Sequence, residues 1–144
     1  MIGIQVRTNN NDLTQLTNDM QNLWNKLISE NIAEQIQNKL DNTVYCVYTD
    51  YEGDYTKPYT AFLGYSVPDL IVIPNGLIGR NFQGGLYNKY VAKGNLHQGI
   101  VYDTWKYIWG LNTPRAYYAD FEVYNDKTQN TESAEVEIFI GIKI

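Results

Sequence analysis

The sequence predicts an α+β fold in which one β-α-β-β unit is used twice, giving an antiparallel sheet with helices on one face and a central cleft. Three observations carry that reading. Two short patterns recur in the same order: YTDYE at 48–52 with YADFE at 118–122, and FLGYSV at 62–67 with FIGIKI at 139–144. Several segments alternate apolar and polar residues with the period of two that a pleated strand imposes. Each half also holds one segment with apolar residues at helical spacing. The recurrence divides the chain into a first repeat over 1–67, a connector over 68–85 and a second repeat over 86–144.

The elements follow in order. IGIQVRT, residues 2–8, reads as a strand. Asn11 or Asp12 can cap a helix running to about Ser29, with Leu13, Leu16, Met20, Leu23, Trp24 and Leu27 at helical spacing. A short helical piece follows near Ile32–Leu40. TVYCVYTDY and YTAFLGYSV are the next strands, parted by EGDYTKP, whose Gly and Pro signal a turn. The connector contains several glycines but no G-x-x-x-x-G-K-[ST] and no direct passage from strand to helix, so it is not a phosphate loop. LYNKYVAKG opens the second half as a strand. A helix near Gln98–Trp109 puts Val101, Trp105 and Ile108 on one face, and RAYYADFEVY and AEVEIFIGIKI complete the unit. The longer second connection falls in the polar stretch NDKTQNTES, where insertions are tolerated.

At 144 residues, with 44% hydrophobic and 19% charged residues, the chain can bury a core. A formal charge of −5 and the absence of any Lys/Arg run leave no footprint for nucleic acid, so no direct nucleic-acid binding is expected. The acidic balance favours neutral or cationic partners. The first residues lack a basic segment followed by an apolar one, and no apolar stretch approaches the ~20 residues that span a membrane. The expected setting is therefore cytoplasmic, without membrane association. His97 and Cys46 are the single His and Cys, in separate elements, so neither a metal site nor a Cys–His pair is expected. No cofactor is implied, and Cys46, within VYCVY, reads as a small core residue.

The segment YADFEVY, residues 118–124, carries the functional question. Tyr117, Ala119, Phe121 and Val123 share one face, an ordinary core face, whereas Tyr118, Asp120, Glu122 and Tyr124 share the other. In the last strand Val136, Ile138, Ile140, Ile142 and Ile144 form the face under the helices, leaving Phe139 and Gly141 opposite. If the helix-free faces of the two repeats meet, Glu122, Tyr118, Tyr124 and Phe139 line one wall of a cleft, with Tyr48, Glu52 and Phe62 as counterparts. A carboxylate among aromatic rings is partly desolvated, which raises its pKa and favours a cation with apolar flanks.

GIQVRTNN, YTDYEGDYTKPYTAFLGYSV, WKYIW, RAYYADFEVY and EVEIFIGIK together resemble the GyrI-like small-molecule-binding family, which is also the effector-binding domain of AraC- and MerR-type bacterial regulators. The similarity covers essentially the whole chain. It implies two β-α-β-β units related by a pseudo-twofold around a central cleft. It further implies a pocket for bulky, aromatic, cationic compounds with a buried glutamate at its centre, a position that maps onto Glu122. Tyr118, Tyr124, Phe139, Tyr48, Phe62 and Trp109 are the expected aromatic walls. No residues are left over for a helix-turn-helix, so the resemblance is to the stand-alone members, and the expected partner is an amphipathic aromatic cation. Two other roles occur among relatives. One is a hydrolase of reactive planar compounds using Glu122 with Tyr118 or Tyr124. The other is a module that engages a protein partner such as gyrase, and a homodimer is also compatible. A binding protein is preferred to an enzyme.

Trp24 and Trp105 are expected in the helix–sheet core, and His97 at the surface. Arg115 is expected to pair with an acid or to fix the start of a strand, and Asp120 to face the cleft edge or pair with a Lys or Arg.

Overall fold

The structure, a computed structural model, describes residues 1–143. Strands β1 (Ile2–Thr8), β2 (Val44–Thr49), β3 (Tyr59–Tyr65), β4 (Ile78–Gly79), β5 (Tyr87–Gly94), β6 (Ala119–Tyr124) and β7 (Ala134–Gly141) form one sheet in the order β4-β1-β3-β2-β6-β7-β5. Every pairing is antiparallel. Helices α1 (Leu13–Ser29), α2 (Ile32–Gln35) and α3 (Ile100–Trp109) complete the chain's main elements. Apart from β4, the order reads as two β-α-β-β units whose second strands, β2 and β6, pair at the centre.

α1 starts where the Asp12 side chain accepts a hydrogen bond from the Gln15 backbone N–H at 3.1 Å, filling a donor that the first turn leaves open. It turns Leu23 and Leu27 onto Ile2, Ile4 and Leu63 of the sheet, with Ile32 and Ile36 beside them. α3 sets Trp105 and Ile108 on Ala92, Val136, Ile138 and Ile140. Burying each such side chain contributes about 1.5–3 kcal/mol, so both helices are held on the same sheet face mainly by apolar contact.

The register fixes what lies beneath them. Ile4, Leu63, Cys46, Glu122, Ile138 and Tyr90 form one row across six strands on the helix face. Gln5, Phe62, Val47, Phe121, Phe139 and Lys89 form the next row, on the opposite face. The expected sharing of a face by Glu122 and Phe139 is therefore wrong. Glu122 pairs with Ile138, and a shift of one residue in register exchanges the faces of a strand.

The helix-free face is also covered. Val47, Phe62 and Ala119 are buried there, with Tyr45, Phe121 and Phe82 packed around them. Phe82 comes from the connector, which also supplies β4 to the edge of β1. The expected length of the last strand is shortened: β7 ends at Gly141, and Ile142 is joined to Arg115 by an isolated bridge. Ile144, expected on the helix face, lies outside the described residues.

The two repeat glycines differ in what they allow. Gly64 faces Gly3 across β1–β3, and a Cβ on Gly64 would stand 2.4 Å from the Ile2 carbonyl oxygen. A Cβ on Gly141 would meet nothing nearer than the Ala119 oxygen at 3.5 Å. Gly64→Ala should lower unfolding free energy by about 2–4 kcal/mol and Gly141→Ala by less than about 1 kcal/mol. Urea denaturation of the two variants beside the parent measures the contrast, and equal losses would contradict the backbone contact at Gly64.

Candidate functional site

A cavity of about 450 Å³ lies on the helix face, between α1 and α3 and above the seam of β2 and β6. α1 contributes Leu13, Leu16, Met20 and Trp24 to one wall, and α3 contributes Val101, Tyr102, Trp105 and Trp109 to the other. Tyr48, Glu122 and Tyr124 form the floor, and Tyr51, Tyr55, Tyr59 and Arg115 close one end. The space lies between the two helices, whose buried residues pack into separate clusters, α1 with the first half and α3 with the second.

Glu122 is only 2% exposed and sits in an otherwise apolar row. Three neutral groups donate to its carboxylate. Tyr48 Oη–H reaches Oε2 at 3.0 Å, Trp105 Nε1–H reaches the same oxygen at 2.6 Å, and Tyr124 Oη–H reaches Oε1 at 2.7 Å. Among the described residues no Lys, Arg or His forms an ion pair with it. Burial raises the Glu122 pKa above the usual glutamate value, against the lowering effect of the hydrogen bonds from Tyr124, Trp105 and Tyr48. Each hydrogen bond to a charged group contributes about 1.5–3 kcal/mol, yet desolvation still prevails.

The surrounding acids are held in their neutral forms. Burial, with the nearby Glu122, pushes the Tyr124 phenol well above its ordinary pKa. Tyr48 is raised likewise by burial, Cys46 and Glu122. Both phenols therefore remain donors at neutral pH. The Cys46 thiol is fully buried and pushed well up by burial and Glu122, so it behaves as a core residue and not as a nucleophile. The rings also brace one another: Trp24 meets Tyr124 edge-on at 4.8 Å and Tyr48 meets Trp105 at 5.4 Å.

Four of the aromatic and acidic residues singled out from the sequence, Glu122, Tyr124, Tyr48 and Trp109, line this cavity. Three do not. Phe139 stacks on Phe121 at 4.8 Å on the opposite face, and Phe62 is fully buried there against Phe82. Tyr118 precedes β6 and follows Tyr117, whose φ of 53° is left-handed and breaks the alternation that strand reading assumes. Its side chain is 46% exposed, and its hydroxyl accepts from the Gln83 backbone N–H at 2.9 Å. Glu52, read as the partner of Glu122, lies in the β2–β3 loop 3.7 Å from Arg7. β2 ends at Thr49 and Asp50 has a left-handed φ of 51°, so the YTDYE and YADFE motifs occupy different structures.

Trp24 and Trp105, expected in the core, do pack on it but also present rings to the cavity. Tyr51 and Tyr55 were not legible as wall residues, because their positions depend on an irregular loop between β2 and β3. Tyr59, the first residue of β3, is missed because the sequence reading puts the cleft on the face of Phe62. Asp120 is fully buried and pairs with Arg115 at 2.8 Å, as one sequence reading allowed. Among the described residues no three of His, Cys, Asp and Glu gather as metal ligands. No helix is long and apolar enough to cross a membrane.

Because the Glu122 pKa is raised on folding, its contribution favours the folded state most below the usual glutamate range and is lost as pH rises through the folded-state value. Glu122→Gln removes this dependence. The stability of the variant relative to the parent should therefore increase from pH 4 towards pH 8, as followed by urea midpoints across that range. A difference that stays constant with pH would refute an elevated Glu122 pKa.

Comparison with known proteins places this geometry in a family context. The family described as "Cass2: Integron-associated effector binding protein" matches residues 1–142. The crystal structure of integron cassette protein VCH_CASS2, from the mobile metagenome of Vibrio cholerae, is 28% identical with a TM-score of 0.74. That match covers 99% of this chain and 88% of the other. A curated relative from Bacillus subtilis (strain 168), named "Putative transcriptional regulator protein YobU", is 24% identical over 124 residues, covering 84% of this chain and 78% of the relative.

Proposed function

The chain belongs to the Cass2 family of integron-associated effector binding proteins, and from that premise we propose that it binds bulky aromatic cations in the cavity between α1 and α3, with Glu122 as the anchor. Small-molecule binding is what the effector-binding family suggests; the cation is our reading of the site. The observation that carries it is a buried carboxylate with three neutral donors and, among the described residues, no ion-pair partner, in a cavity walled by aromatic rings. An arriving cation supplies the missing charge where water is largely excluded, and the rings offer their electron-rich faces to the same ligand. The volume of about 450 Å³ lies within the range of drug-sized ligand sites.

A hydrolytic role has one specific observation in its favour: a carboxyl with a raised pKa lies 2.7 Å from the Tyr124 hydroxyl. The binding role needs fewer further parts, since the phenols stay protonated and the Cys46 thiol opposite the carboxylate is buried with its pKa pushed well up.

All three tryptophans line the cavity, so intrinsic fluorescence reports its occupancy. Titration with aromatic cations and matched neutral analogues should give saturable binding of the cations only. Glu122→Gln should weaken it by about 1–3 kcal/mol, roughly 5- to 150-fold in Kd. Wild-type affinity should also rise with pH until Glu122 is fully ionised, then level off, because a cation competes with the proton. Equal affinity of cations and neutral analogues, or of both proteins, would overturn the reading. Chromatographic recovery of the compounds separates binding from turnover, since a pure binder returns them unchanged.

A further inference from the structure

The closed end of the cavity holds a second polar group that the cation reading leaves unused. Arg115 lines the cavity and is 6% exposed. Its Nη2 donates to Asp120 Oδ2 at 2.8 Å. Asp120 also accepts from Tyr51 Oη–H at 2.6 Å and from the Gly141 backbone N–H at 2.8 Å. The ion pair is thus fixed in place and electrically balanced. Tyr117 lies 4.4 Å from the guanidinium and Trp105 5.9 Å from it, which holds the plane against aromatic rings.

Nε and Nη1 of Arg115, however, are buried with no hydrogen-bond partner among the described residues. A guanidinium carries one N–H on Nε and two on Nη1, and its planar fork matches oxygen acceptors. Burying a donor without a partner is unfavourable, and such groups in native proteins call for an explanation. The Asp120 pair and the bridge to Ile142 place the start of β6 without using these two nitrogens, so that role does not account for the unmet donors.

We propose that Arg115 is a second ligand-recognition point in the same cavity, taking a carbonyl or carboxylate oxygen from a ligand whose cationic group meets Glu122. The proposal rests on the cavity being the ligand site. Trp105 links the two poles, giving its indole N–H to Glu122 and its ring to Arg115. The favoured ligand class is therefore bipolar: an aromatic body with a cation at one end and an acceptor oxygen at the other. Because Asp120 already balances Arg115, a neutral carboxamide suits the site as well as a carboxylate.

The test uses naphthalenes bearing an aminomethyl group on one ring and a carboxamide, a carboxylate or a methyl on the other, with linkers of zero, one or two methylenes. A further set carries methyl in place of the ammonium-bearing group. Affinities are measured for the wild type, for Glu122→Gln and for the charge-neutral double variant Arg115→Met, Asp120→Asn. Asn keeps an acceptor for Tyr51 or Gly141. At one linker length, a carboxamide or carboxylate member should bind the wild type at least tenfold more tightly than its methyl analogue. The double variant should lose that advantage, binding the oxygen-bearing and ammonium–methyl members alike. In the wild type, the Arg115 Nε–H resonance should shift with the oxygen-bearing compound and not with the methyl one, a readout independent of any variant's folding.

Equal affinity of oxygen and methyl members at every linker length, with an unmoved Nε–H resonance, overturns the Arg115 proposal. In that case ammonium binding that depends on Glu122 leaves the cation reading standing. Conversely, an Arg115-dependent oxygen preference that persists without the ammonium supports Arg115 and sinks the cation reading. A panel in which nothing binds overturns both.

Discussion

Glu122 is held at the centre of the sheet, opposite Cys46 on one side and Ile138 on the other, where every other member of its row is an uncharged side chain. Removing a carboxylate from water without a countercharge costs several kcal/mol, and three hydrogen bonds recover only part of it. The donors come from both halves of the chain: Tyr48 from the first, Trp105 and Tyr124 from the second. Holding one carboxylate therefore ties β2, β6 and α3 to a common geometry. The edge-on contacts of Trp24 with Tyr124 and of Tyr48 with Trp105 extend that tie to α1.

The cavity follows from how the hydrophobic contacts are divided. Leu23 and Leu27 of α1 serve the first half's core, and Trp105 and Ile108 of α3 serve the second's. Each helix is drawn towards its own strands, so neither covers the seam. What faces the gap must be stable both dry and wet, and tyrosine and tryptophan meet that demand with an apolar body and one polar tip. Their polar tips converge on Glu122, while their faces remain open to the space. Covering the opposite face with Phe82 and the connector lets the sheet bury its other side without closing this one.

Much of the fold was legible because strand and helix periods leave a direct trace in the sequence. IGIQVRT and the segment after Asp12 became β1 and α1 with nearly the expected limits. The choice of face for Glu122 was not legible. It depends on pairing Glu122 with Ile138 rather than Phe139, a long-range fact that alternation within one strand cannot supply. The same limit misassigned Phe62 and Phe139 to the cleft, though they do correspond to each other on the far face, opposite Val47 and Phe121. Tyr118 failed for a local reason, the left-handed turn at Tyr117. Glu52 failed because a five-residue likeness crossed the end of β2. The two-unit order survived these errors, since it rests on the sequence of elements and not on any single residue.

In the proposed binding role, the position of the carboxylate would couple ligand binding to folding. A group whose burial disfavours its charged form lowers the stability of the empty protein at the pH where that charge is needed for a cation. A ligand that supplies the countercharge binds the folded state alone, because the unfolded chain has no gathered donors and no cavity. Its stabilisation grows as RT ln(1 + [L]/Kd), about 2.7 kcal/mol at a hundredfold excess over Kd. The cost of keeping Glu122 dry thus becomes the margin that a proposed cationic ligand restores. Since Tyr48 and Tyr124 lie on opposite sides of the β2–β6 seam, that restoration acts on the joint between the two halves. An apolar residue at this position would spare the sheet the cost of a buried carboxylate, but it would remove the group on which the proposed cation binding rests.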